Sequence, residues 1–123
     1  MLYIKENHMN EEFWRILEEL ISRHDIVIDR PKGSRHPRYP EMVYELDYGY
    51  LAGTSSMDGG GMDLWRGSRA DGRLVGIVCT VDRLKSDSEI KLLIGCTGEE
   101  MRRVHAFHNG SEYMKGLLIE RDE

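Results

Sequence analysis

Two aspartates, Asp58 and Asp63, enclose three consecutive glycines, Gly59, Gly60 and Gly61. Glycine reaches backbone angles closed to other residues, so the chain can curl there and turn both carboxylates toward one point. Converging carboxylates with no basic residue among them suit a hard divalent cation such as Mg²⁺. A solvated glycine turn is the plainer reading, and on these residues alone the stronger one. A second concentration lies upstream in Arg30-Pro-Lys-Gly-Ser-Arg-His-Pro-Arg38, where four cations and a histidine fall within nine residues. Such a cluster in an acidic protein points to an anion site, with Arg38 able to fork onto phosphate oxygens. A solvated basic loop is the competing reading. A third group follows Asp82. If a strand begins by Asp87, then Asp87, Glu89 and Lys91 share one face while Ile90 and Leu92 point to the core. Charges on a strand ordinarily face water, which is the bland alternative.

The elements that position these groups can be read from periodicity. Residues 1–9 read as a loosely held arm. Asn10, followed by Glu11 and Glu12, reads as a helix N-cap. Phe13, Ile16, Leu17, Leu20 and Ile21 recur at helical spacing to about Arg23–His24. Asp25–Asp29 is β-branched and predicts a strand. The prolines and glycine of 30–38 exclude regular structure. Tyr48 and Tyr50 share a face of the strand that enters the glycine loop. Leu74–Val81 is the longest strand candidate, apolar enough to be buried on both faces. Ser88–Ile94 is the next. Thr97-Gly-Glu-Glu100 is a capping box that opens a helix to about Phe107, stopped by Asn109-Gly110. His105 and His108 could share a face of it, a pair more often surface or packing than metal-binding. Lys115–Glu120 reads as a last strand.

With 123 residues the chain predicts a single domain, 1–123. The net charge of -5 argues against a nucleic-acid binder, which would carry a basic field. No apolar run approaches a membrane span, and Met1–His8 lacks the order of a signal peptide. Cys79 and Cys96 each sit in an apolar run without zinc spacing, so free thiols in a reducing cytoplasm are expected.

The order Asp47-Tyr-Gly-Tyr50, a Thr-Ser segment, then Asp58-Gly-x-x-Met-Asp63-Leu resembles the metal-binding signature of family I soluble inorganic pyrophosphatases. The resemblance covers roughly residues 25–107 and is strongest from 47 to 94. It implies a mainly β fold: a small, closed, five-stranded OB-type barrel flanked by an N-terminal and a C-terminal helix. It also implies hydrolysis of inorganic pyrophosphate, or a related diphosphate, with Mg²⁺ or Mn²⁺. On this resemblance Asp58, Asp63, Asp82 and either Asp87 or Glu89 hold metal, and Asp29 takes the place of an acidic metal-site residue. Arg38 takes the place of a phosphate-binding lysine. Lys91, with Lys32, binds phosphate oxygens, and Tyr48 donates to phosphate. Three departures stand out. The middle aspartate of the family loop is Gly60 and its following proline is Gly61. Pro40 replaces a carboxylate. The family's hairpin arginine has no counterpart. Loss of a general base costs typically about 10²–10⁴-fold. The sequence therefore keeps a second expectation, a non-catalytic relative that binds metal and a phosphorylated ligand. An oligonucleotide-binding OB module is disfavoured by the acidic charge and few strand aromatics. Homo-oligomerisation is left open.

Overall fold

The computed structural model describes residues 7–56 and 59–122, with the backbone alone for 7–9. Helix α1 spans Asn7–Arg23. Asn10 therefore lies inside the helix and is not its cap; asparagine in a helix interior costs only a few tenths of a kcal/mol, about 0.7 at most, so it does not force a boundary. The buried stripe also sits slightly round from the expected one: Trp14 and Leu17 are buried, with Leu20 and Ile21 packed beside them, while Phe13 and Ile16 are exposed.

The strands are β1 (Ile26–Arg30), β2 (Asp47–Leu51), β3 (Met62–Arg66), β4 (Leu74–Asp82), β5 (Asp87–Ile94) and β6 (Met114–Glu120), with helix α2 (Gly98–His108) before the last. They form one mixed sheet in the order β1-β2-β3-β5-β4-β6. Neighbours are antiparallel except β3 and β5, which run parallel at its centre. The expected five-stranded closed barrel is not what forms. Closure requires the first and last strands to pair, whereas here β1 and β6 are the two outer strands of an open, six-stranded sheet. Both faces of the central strands are apolar, and each receives a helix. Trp14 and Leu17 of α1 pack on Leu51, Leu64, Ile77 and Leu92. Met101 and Val104 of α2 pack on Trp65, Val75, Val78 and Leu93, together with Tyr44 and Leu46.

Local chemistry explains several boundaries. Thr97 accepts from the Glu100 amide and Glu100 accepts from the Thr97 amide, so the predicted capping box opens α2. Asn109 closes it. Gly49 is required by close approach: a Cβ there would lie 1.8 Å from the Val27 carbonyl oxygen on β1. Ile90, which alternation places in the core, is 40% exposed and lines an open groove with Met62, Cys79 and Leu117. Cys79 and Cys96 are free thiols. No helix among the described residues is long and apolar enough to cross a membrane.

Candidate active site at the polar end of the sheet

Register brings three strands to one point. Tyr48 pairs with Trp65 and Tyr50 with Asp63, and β3 meets β5 with Leu64 beside Leu92. Alternation then puts Tyr48, Asp63, Glu89, Lys91 and Leu93 on the α2 face. Lys91 is 4% exposed, the buried cation of the sheet. Its Nζ donates to Tyr48 Oη at 3.1 Å, Asp63 Oδ2 at 3.0 Å and Glu89 Oε1 at 2.7 Å. An ammonium has three protons, and each has an acceptor. Tyr48 in turn donates to Asp63 Oδ2 at 2.7 Å. Burial alone would lower the Lys91 pKa, but the Tyr48 oxygen, Asp63 and Glu89 outweigh it and hold the lysine above its ordinary value. Burial, opposed by Lys91, raises the Tyr48 phenol, which stays protonated. The group is thus a protonated phenol, an ammonium and two carboxylates, with side-chain exposures of 22% at Asp63 and 10% at Glu89.

The other expected residues are placed as follows. Strand β5 does begin at Asp87, so Asp87, Glu89 and Lys91 share a face. Glu89 is the one bonded to Lys91; Asp87 lies two residues away, opposite Asp82 across the β4–β5 hairpin. Asp82 Oδ1 accepts from the Leu84 and Lys85 amides, which holds the hairpin turn. Asp82 and Asp87 line an open cleft of about 450 Å³ with Arg83, Tyr113 and Lys115. Asp29 is exposed at a β-bulge. Lys32 and Arg38 are exposed on the basic loop, which the Lys32 amide ties to Asp47 Oδ1 at 2.9 Å. Asp58 lies outside the described residues. Gly59 has φ +83°, the left-handed curl expected of the loop, and a Cβ at Gly61 would meet Leu51 O at 2.6 Å. Proline could not stand there, so that departure from the pyrophosphatase pattern belongs to this loop's own path. Among the described residues no three histidine, cysteine or carboxylate side chains come together as a metal-ligand set.

Two residues that the sequence marks have contacts that it does not encode. Arg30 reaches the Tyr44 hydroxyl and lies over the Tyr44 and Tyr48 rings. His108 is buried, and its Nε2 accepts from Trp65 Nε1 at 3.0 Å, so it is part of the core and forms no pair with exposed His105.

The fold and this cluster define a mixed-sheet protein with a polar group on one face of its central strands. No protein-family model matches the chain, and no curated protein does. Among solved structures, the inorganic pyrophosphatase of the pathogenic bacterium Helicobacter pylori is similar in fold, with a TM-score of 0.57 over 80% of this chain and 87% of that one, at 18% identity. The chain therefore has a pyrophosphatase-like fold.

Proposed function

We propose that this protein hydrolyses a phosphoanhydride, inorganic pyrophosphate or a related diphosphate, with Mg²⁺ or Mn²⁺. The observation that carries the reading is the buried Tyr48–Asp63–Lys91–Glu89 cluster, set on a pyrophosphatase-like fold. A diphosphate needs its charge balanced and its leaving phosphate stabilised. Lys91 supplies a positive charge fixed by three hydrogen bonds, and Arg38 and Lys32 offer further donors from the basic loop. Tyr48, protonated and beside Lys91, can turn its hydroxyl from Asp63 to a phosphate oxygen. Asp63 and Glu89 carry two negative charges against one on Lys91, and this surplus suits a hard cation. In this reading Asp63 and Glu89 would hold it with Asp58, while Asp82 and Asp87, in the hairpin cleft, and Asp29, at the bulge, would join only if the ion drew them in. Such an ion would neutralise the diphosphate and acidify a water for attack. The protein is expected to work in the cytoplasm.

Gly60 favours a second reading. Glycine there has no side chain to take a proton from the attacking water, so binding of metal and a phosphorylated ligand without turnover is the alternative. Phosphate release from pyrophosphate and a panel of nucleoside and sugar diphosphates, with and without Mg²⁺, separates the two. Metal-dependent release supports hydrolysis; tight binding without release supports the second.

A further inference from the structure

Strand β1 carries one extra residue opposite β2. Ile28 pairs with Gly49 and Arg30 with Tyr48, which leaves Asp29 as the bulge. On an unbroken ladder Asp29 would face Tyr48. Bulges re-aim side chains, and this one puts Arg30 there. The Arg30 guanidinium donates to the Tyr44 hydroxyl and lies 5.5 Å from the Tyr44 ring centre and 5.9 Å from that of Tyr48. Lys91 Nζ lies 5.7 Å from the same Tyr48 ring. Cations from β1 and β5 thus share one tyrosine.

Among the described residues, Arg30, Arg38 and Lys85 form no ion pair with a carboxylate. His36 connects the first two, because its ring shares Tyr44 with Arg30 and it accepts from the Arg38 amide. Its ring is nearly parallel to Tyr44, 12° apart and 6.3 Å between centres, and its Nδ1 accepts from the Arg38 and Tyr39 amides. Burial, then the charges of Arg30, Lys85 and Arg38, hold His36 below its ordinary pKa, with Glu41 opposing. Arg30 and Arg38, one from a strand and one from a loop, are thus linked through Tyr44 and an imidazole whose remaining nitrogen is a donor. Uncompensated positive charge of this kind attracts an anion. A guanidinium has five N–H donors, and Arg30 gives one side of its fork to Tyr44.

We propose that Arg30 is a ligand-binding residue: with Arg38 it forms an anion subsite beside the Tyr48–Lys91 cluster that takes a terminal phosphate of the diphosphate. The inference rests on the diphosphate reading above and deepens it. Calorimetry with pyrophosphate tests it on wild type, Arg30→Gln and Arg30→Lys, folding checked by circular dichroism. Arg30→Gln should raise Kd by at least about tenfold, the scale of a charge-assisted hydrogen bond. Arg30→Lys, which keeps charge without the fork, should fall between. Equal affinity in a folded Arg30→Gln protein overturns the subsite and leaves the diphosphate reading standing. Because Arg30 packs on two tyrosines, the wild type supplies a second measurement: its Nε–Hε resonance should shift as pyrophosphate is added, and a static resonance at saturation overturns the proposal. If the wild type binds no pyrophosphate with or without Mg²⁺, the diphosphate reading fails. Titration with inorganic phosphate then decides the subsite by itself: an Arg30 shift keeps it as a phosphate site, and no shift ends it.

Discussion

Lys91 Nζ lies 2.7 Å from Glu89 Oε1, two residues earlier on the same strand, and 3.0 Å from Asp63 Oδ2 on the parallel neighbour β3. A single ammonium therefore ties two carboxylates of separate strands, inside a sheet where few charges are buried. Lys91→Met should leave both carboxylates facing each other with their cation gone. Removing one partner of a fully buried pair costs about 3–5 kcal/mol; Asp63 is partly exposed, so a loss of about 2–4 kcal/mol is expected by urea unfolding. Adding Glu89→Gln to Lys91→Met should recover part of it, a coupling that a double-mutant cycle measures. A loss that the second substitution deepens would mean that the cluster is not held by charge.

His108 gives the fold an acid-sensitive point. Burial first, then the charges of Lys91 and His105, lower its pKa to about 3 from an ordinary 6.5. The unfolded chain therefore binds a proton that the native state refuses. The contribution is full above about pH 6.5 and is lost as pH falls toward 3, at about 1.4 kcal/mol per pH unit inside that window. His108→Gln keeps an acceptor for Trp65 Nε1 but cannot titrate. The stability difference between wild type and His108→Gln should shift in the variant's favour from pH 7 to pH 4. A difference independent of pH would contradict the buried neutral imidazole.

Gly60 is exposed, in the loop that joins β2 to β3. If turnover is limited by a missing base there, Gly60→Asp should raise phosphate release from pyrophosphate by at least about tenfold at saturating Mg²⁺, below the full worth of a placed base. A folded, metal-binding variant with no gain would assign the limit to other departures, such as Pro40, or to a different substrate.

Much of this molecule is written in local pattern. Thr97 and Glu100 marked a helix start, and the alternation of Asp87, Glu89 and Lys91 placed those charges on one face before any pairing was known. Other features needed contacts distant in sequence. Whether strands close into a barrel depends on whether β1 finds β6, which alternation does not encode. The bulge at Asp29 moves Arg30 opposite Tyr48, and a one-residue shift reverses every facing that period two predicts. Helical spacing leaves His105 and His108 as surface or packing residues, and only the distant contact with Trp65 on β3 shows that His108 is packing. The helix that contains Asn10 began earlier than its capping residues implied, because the cost of asparagine in a helix is too small to end one.

The central claim is that the Tyr48–Asp63–Lys91–Glu89 cluster works on a diphosphate. The most direct measurement is phosphate release from pyrophosphate with and without Mg²⁺, for wild type beside Asp63→Asn, which removes one carboxylate charge while keeping the shape. The account predicts metal-dependent release by the wild type and a loss of at least about a hundredfold in the variant, the lower scale for removing a group that acts in the transition state. Release by Asp63→Asn equal to wild type, or no release and no binding of pyrophosphate by the wild type with either Mg²⁺ or Mn²⁺, would contradict it.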